Sequence, residues 1–307
     1  MGKRQKDRGP KTIKNRVGFY KADLNRSVKG DVGILLFLLL VCSFMALPLV
    51  YSIVQSFKPP EEFFIFPPRF FRILNPTSNN YTMLFQLITN LRVPFIRYVF
   101  NTVFVTICST GLCLIVGALA AYPFAKKEFY GKKMLWRLIM ITLLFGAGVT
   151  SMPTYVVVSW LGLIDTYGVL IFPNIAVPIY LFLMRQFMLQ IPEASLESAR
   201  IDGAGEVQVF WKIIMPLIRP AWMTVMVLAF TQFWNTGSGN IFTESKKMFP
   251  TAIQQIGAAT GSSVTGNISR QGVVAAATVL LMIPPIAIFV FNQARMMQTM
   301  AHSGIRE

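Results

Sequence analysis

A chain of 307 residues that is 54% hydrophobic and only 14% charged carries more apolar surface than one water-soluble core of that size can bury, which places it among membrane proteins. In a soluble protein its formal net charge of +16 would suggest a nucleic-acid surface. Here the basic residues flank apolar runs and face anionic headgroups, so membrane lipid is the expected contact and nucleic acid is not.

In chain order, residues 1–31 form a basic N-terminal tail. No small-residue cleavage site follows the first apolar run, so that run is expected to stay as an anchor. Uncharged stretches long enough for a hydrocarbon core of roughly 30 Å follow at Val32–Phe57, Tyr98–Ala125, Leu138–Ile164, Thr166–Met184, Pro220–Thr243 and Gln271–Ala294. The expectation is an all-α, polytopic membrane protein with six transmembrane helices over 32–294 and a short tail over 295–307. Another uncharged run, Ile73–Leu91, is interrupted by Asn75, Pro76, Asn79 and Asn80, which would strand polar groups in lipid. It reads as an external loop with a short interfacial helix near Tyr81–Ile88. Between Gly237 and Gly272 the chain is rich in Gly, Ser and Thr, and its AATGSSVTG run reads as a mobile external loop.

Lys and Arg are retained on the cytoplasmic side of short loops. They concentrate in the N-terminal tail, over Lys126–Arg137, over Arg185–Arg219 and at Arg295 and Arg306. Lys58, Arg69, Arg72, Arg92, Arg97, Lys246, Lys247 and Arg270 fall on the other side. Both termini are therefore expected in the cytoplasm.

Enzyme chemistry lacks its residues. The only histidine is His302, in the tail, so no serine in a span has an imidazole base and no histidine pair can hold a metal. Gly237-Ser238-Gly239 has no such base, and Gly131-Lys132-Lys133 lacks the spacing and hydroxyl of a phosphate-binding loop. Cys42, Cys108 and Cys113 lie within spans as packing residues. No acidic residue sits inside a span to bind a coupling ion. Asp165, in the turn WLGLIDTYG, is a loop or capping residue.

The segment 191–220, IPEASLESARIDGAGEVQVFWKIIMPLIRP, is punctuated for two helices. Pro192 suits a first helical position, Glu193 the positive end of the dipole, Gly203 and Gly205 a tight turn, and Pro216 a stop or kink. Leu196, Ala199 and Gly203 form a narrow small-and-apolar face flanked by Glu197 and Arg200. Such a helix either seats in a partner's cleft or merely links two spans.

This segment resembles the EAA motif of binding-protein-dependent ABC importers, with Glu197-Ser198-Ala199, Asp202-Gly203-Ala204, Phe210, Ile213 and Pro216 at the family's spacings; Ser198 stands where the family often has Ala. Asn80-Tyr81, Asn101-Thr102, Ala121-Tyr122 with Ala125, and Trp234-Asn235 extend the resemblance to the maltose-permease-like carbohydrate branch. The tail His302-Ser303-Gly304-Ile305 resembles that branch only loosely.

The resemblance implies a type I ABC importer permease fold in a bacterial inner membrane, working by alternating access. It implies as partners a second homologous permease, an ATP-binding subunit dimer that holds ATP and Mg, and an extracytoplasmic solute-binding protein. This chain would hold no cofactor and carry a sugar or oligosaccharide. Glu197 would pair with a basic group on the ATPase, Asp202 and Gly203 would shape the turn, and Ala199 and Ala204 would allow close approach.

For the substrate pathway the candidates are polar and aromatic groups costly in spans: Asn101, Thr106, Tyr155, Asn174, Gln232, Trp234 and Asn235. Each could instead bond between helices or belong to an interfacial belt. Pro48, Pro153, Pro173, Pro178, Pro284 and Pro285 would kink spans for gating or packing. The rival functions are an ABC permease for a polyamine, an amino acid or a phosphonate, and a secondary carrier or membrane scaffold.

Overall fold

A computed structural model describes residues 28–67, 69–89, 93–238, 243–258 and 270–303. The expectations for residues 1–27 of the basic tail, Gly239, most of the AATGSSVTG run, Arg92 and the last residues from Gly304 lie outside them; the tail's last residues, 28–31, already belong to the first helix. Among the described residues there are helices and irregular segments and no strand. The chain divides into two units, one ending at Leu49 and one beginning at Val50. In the first, α1 (Val28–Ser56) begins with an almost uniformly apolar run in which Phe37, Leu40, Phe44 and Met45 are exposed, as suits a helix solvated by lipid.

In the second unit α1 ends, a 3₁₀ turn spans Pro60–Phe64, and α2 (Asn79–Thr89) covers the stretch where a short helix was expected. The loop between them is built around Glu62, a buried carboxylate that accepts the amides of Leu74 and Asn75 at 3.1 and 2.9 Å. Lys58 donates to the Arg69 carbonyl at 3.0 Å. Asn80, also buried, donates to the carbonyls of Ser56 and Lys58 at 2.9 and 2.8 Å, tying α2 to the end of α1.

The central helix is α3 (Phe95–Lys126), whose buried face carries Asn101, Thr102, Thr106, Ser109, Ala118, Ala121 and Tyr122. The next expected span, 138–164, differs from expectation. It is two helices, α4 (Lys132–Thr142) and α5 (Ala147–Trp160), each shorter than the ~20 residues needed to cross. The backbone turns extended at Gly146, and with Gly148 close by each glycine costs about 1 kcal/mol in a helix interior, so the break falls there.

Then come α6 (Gly168–Ile171), a 3₁₀ turn Phe172–Asn174 and α7 (Pro178–Leu189), together a crossing-length element interrupted where Pro173 and Pro178 remove donors. After α8 (Glu193–Ile201), α9 (Glu206–Leu217) contains a π-helical stretch over Val209–Ile214. It meets α10 (Arg219–Trp234) at a 77° bend at Ile218, flanked by Pro216 and Pro220.

The fifth expected span therefore ends at Trp234 rather than Thr243. The chain returns through α11 (Phe249–Ala258), which ends where the AATGSSVTG run begins, and finishes with α12 (Gln271–Ser303). Among the described residues four helices are long and apolar enough to cross a membrane, or five if the bent pair is one span.

One core joins α3, α7, α8, α9 and α10 through Met184, Met188, Leu196, Phe210, Ile214 and Phe233. A second joins α2, the start of α3, α11 and α12 through Leu84, Tyr98, Phe249 and Val273.

Candidate coupling segment and polar span residues

The helix α8 ends as its glycines require. Gly203 adopts φ +84°, open to glycine at little cost. Its amide donates to the Arg200 carbonyl at 3.0 Å while the Ala204 amide donates to the Ala199 carbonyl at 2.9 Å. That pair of bonds is a Schellman cap, satisfying carbonyls the helix end would otherwise leave open. Asp202 sits at the cap itself, exposed, and Gly205 then starts α9.

The small-and-apolar face points inward. Leu196 is 2% exposed, and Ala199 and Ala204 pack against the same core, so this face seats α8 on the chain's own body. Burying Leu196 contributes about 2 kcal/mol to holding it there. Turned outward are Glu197, Ser198, Ile201 and Val207, the last two 86% and 72% exposed.

A residue that the sequence reading missed secures the segment. Glu206, at the start of α9, accepts the Tyr122 hydroxyl at 2.5 Å, is paired with Lys127, and lies 3.3 Å from the Arg200 Nε. Tyr122 and Lys127 sit at the end of α3, so one carboxylate joins α3, α8 and α9. Lys126 adds a bond to the Ile191 carbonyl at 2.6 Å, and Arg185 donates to the Phe124 carbonyl at 3.0 Å while stacking over Trp136. The signal was present in Lys126-Lys127 facing an acidic loop, but the partners lie 79 positions apart.

The seven pathway candidates do not come together. Asn101 is buried and fully engaged: its amide nitrogen donates to the carbonyls of Ser245 and Lys247 at 3.1 and 3.0 Å, and its oxygen accepts from Tyr167 at 2.7 Å. Thr106 is fully buried, with its hydroxyl unpartnered among the described residues. Tyr155 is exposed on α5, and Asn174 bonds the Leu170 carbonyl one turn back at 2.6 Å.

Gln232 accepts from Tyr180 at 2.6 Å, linking α7 to α10. Trp234 is buried, stacked on Phe230, and donates to the Leu281 carbonyl of α12 at 3.0 Å. Asn235 next to it is exposed and folds back onto the Thr231 carbonyl at 2.9 Å. Neither a cavity of about 530 Å³ at the start of α12 nor one of about 130 Å³ beside Cys113 is lined by any of the seven.

Asp165 has a structural task outside the spans. It holds φ +58°, a region Asp tolerates better than most residues, and accepts the Thr243 amide and hydroxyl at 2.9 and 2.8 Å. Lys246 lies 3.1 Å from its other oxygen. The Thr243 bonds, with Lys246 behind them, hold the Asp165 carboxyl below the usual range. Together with Asn101, and with Thr102 accepting the Phe249 amide at 2.8 Å, it pins the return segment before α11.

Comparison with known proteins agrees with this architecture. The family model described as "Binding-protein-dependent transport system inner membrane component" matches residues 91–301. Protein LplC of Bacillus subtilis (strain 168) is 31% identical over 291 residues, covering 90% of this chain and 94% of its own. The polygalacturonan/rhamnogalacturonan transport system permease protein YtcP of the same organism is 32% identical over 214 residues, 66% of this chain and 68% of that one. A bacterial ABC transporter involved in the import of the acidic polysaccharide alginate has a chain of the same fold, with a TM-score of 0.71 at 22% identity, covering 88% of this chain and 98% of that one. The chain is a multi-pass membrane permease rather than an enzyme, and it belongs to the family of binding-protein-dependent transport system inner membrane components.

Proposed function

We propose that this chain is one of two permease halves of a bacterial inner-membrane importer for a sugar or oligosaccharide, driven by ATP hydrolysis in a separate subunit dimer. The observation that carries the coupling reading is the α8–α9 segment, rigidly capped at Gly203 and locked to α3 through Glu206. A helix that only linked two spans would not need Ile201 and Val207 outward beside Glu197. An ATPase groove that takes those side chains gains their burial, and its closure then moves α3 through one carboxylate. ATP and Mg belong to that ATPase dimer, whose two grooves accept this loop and that of a second homologous permease. An extracytoplasmic solute-binding protein delivers cargo to the opposite side.

The distribution of Lys and Arg supports cytoplasmic termini and a cytoplasmic α8. The sugar reading is supported by the polysaccharide permease among the relatives. Deleting the gene and supplying wild type or Glu197→Lys tests both parts, with uptake of labelled oligosaccharides, a polyamine and an amino acid as readout. Wild type should restore sugar uptake alone. Glu197→Lys should insert normally yet lower uptake by tenfold or more, and full uptake by that variant sinks the coupling role.

A further inference from the structure

The loop between α1 and α2 is turned inside out relative to one built for water. Two of its charged groups point inward, Lys58 at 3% and Glu62 at 6% exposure. Its apolar side chains point outward: Phe66 is 91% exposed, and Phe64, Ile65, Phe70, Phe71 and Leu74 are exposed with it. All of them belong to the unit that begins at Val50.

Hydrogen bonds hold the loop in this form. Besides the bonds of Glu62, Lys58 and Asn80 described above, the Thr77 amide donates to the Phe57 carbonyl at 2.9 Å and the Gln55 amide nitrogen donates to the Phe70 carbonyl at 3.3 Å. Polar groups therefore occupy the inside of the loop, and its rings stay outside. In water, six such side chains would forfeit the burial that ordinarily draws them inward, and an exposed apolar patch of this kind marks a surface that something else covers.

The position of the rings indicates what covers them. Phe70 and Phe71 each pack against Tyr51, with ring centres 6.4 Å apart, in the last turns of α1, where Val50, Tyr51 and Ile53 are themselves exposed. The helix is apolar and long enough to cross a membrane, so its end lies where hydrocarbon gives way to headgroups, a level that aromatic rings favour. Arg69 and Arg72 are exposed among the rings, while Glu61 is the one exposed acid of the described loop. A guanidinium on a long stem reaches phosphate while its apolar neighbours stay in hydrocarbon.

We propose that this loop is a membrane-interface anchor: its exposed phenylalanines and Ile65 enter the boundary between acyl chains and headgroups, and Arg69 and Arg72 pair with phospholipid phosphates. The anchor sets the depth of the end of α1 and, through the Asn80 bonds, of the start of α2. The cytoplasmic reading of α8 puts it in the outer leaflet, whereas insertion itself depends neither on that reading nor on the cargo.

The test uses the full chain with Cys42→Ser, Cys108→Ser and Cys113→Ala, carrying a nitroxide at Phe66→Cys, Phe71→Cys or, as a control among the exposed polar residues before α2, Ser78→Cys. In nanodiscs of phosphatidylcholine and phosphatidylglycerol, accessibility is read by electron paramagnetic resonance with oxygen, which partitions into hydrocarbon, and a nickel chelate, which stays in water. Labels at 66 and 71 should meet nickel roughly threefold less and oxygen more than the label at 78. Changing both Arg69 and Arg72 to Glu should raise nickel access at 66 about twofold, because the reversed charge repels phosphate. In the chain with its native cysteines, brominated phosphatidylcholine should quench the emission that Phe66→Trp adds. Nickel access at 66 and 71 equal to that at 78, no response to the arginine reversal, or no quenching overturns the proposal. So does a label at 66 shielded from both reagents, or shielded from nickel only after a second permease or a binding protein is added, since either result assigns the patch to a protein partner.

Discussion

Arg200 and Glu206 face each other across the Gly203 turn, Nε to Oε1 at 3.3 Å, and the same carboxylate also holds Tyr122 and Lys127 at the end of α3. The turn between α8 and α9 is thus tied to the central helix α3 by charge as well as by packing. Both ion pairs are partly exposed, so solvent screens them and each adds little to stability. Their value lies in fixing geometry.

Replacing Glu206 with Gln removes the charge while keeping a similar shape. Assembly should be unchanged, and solute-stimulated transport per ATP hydrolysed should fall about three- to fivefold. The ratio is measured in proteoliposomes with the assembled importer. A ratio equal to wild type would show that packing alone couples α8 to α3.

Gly203→Ala places a side chain at φ +84°, with open space around the new methyl but a strained backbone. The cost is about 1–2 kcal/mol. Limited proteolysis of membranes should show faster cleavage near 203 than in wild type, and an unchanged pattern would mean the turn relaxes without penalty.

Much of this segment was legible in the sequence, because Pro192, Glu193, Gly203 and Gly205 act locally and their consequences do not depend on distant residues. The spans at α1, α3 and α12 were legible for the same reason, being long and uniformly apolar. What sequence could not show was pairing at a distance: Glu206 with Lys127, Asp165 with Thr243, and Asn101 with the return segment. Trp234 and Asn235 look like one feature in sequence, yet a helical step of about 100° turns one into the α10–α12 interface and leaves the other exposed. The break at Gly146 was also hidden, since an apolar run of crossing length outweighs two glycines when only composition is read.

Trp234→Ala removes a buried indole stacked on Phe230 and bonded to Leu281, and should destabilise the fold by about 3–5 kcal/mol. The expected outcome is loss of assembled protein in membranes rather than assembled protein with poor uptake. Quantitative blotting beside uptake decides it, and normal assembly with failed uptake would return Trp234 to the substrate pathway.

Gly272→Ala would put a Cβ 2.6 Å from the Asn80 side chain, which is held by two carbonyls and has little room to move. Overpacking of this kind costs about 1–3 kcal/mol. Thermal unfolding in detergent should show a lower midpoint, and Asn80→Ala combined with Gly272→Ala should show less than the sum of the two losses.

The Asp165 clamp gives a pH signature. Because its folded pKa is depressed, its stabilisation is full above the ordinary carboxylate pKa of roughly 4 and fades as pH falls through the lower folded value. Wild type should therefore be more stable than Asp165→Asn at pH 6, with the gap closing below about pH 4. A gap that stays constant across that range would mean the carboxylate charge plays no part.

The central claim is that this permease works only with an ATPase docked on the α8–α9 segment. The direct measurement is purification of the full chain from its native membrane in mild detergent, with mass spectrometry of what accompanies it and ATPase activity with and without loaded binding protein. The account predicts an ATP-binding subunit and a second permease in the complex, with hydrolysis raised by the loaded binding protein and uncoupled from uptake by Glu197→Lys. A chain that purifies alone and never associates with an ATPase would contradict it.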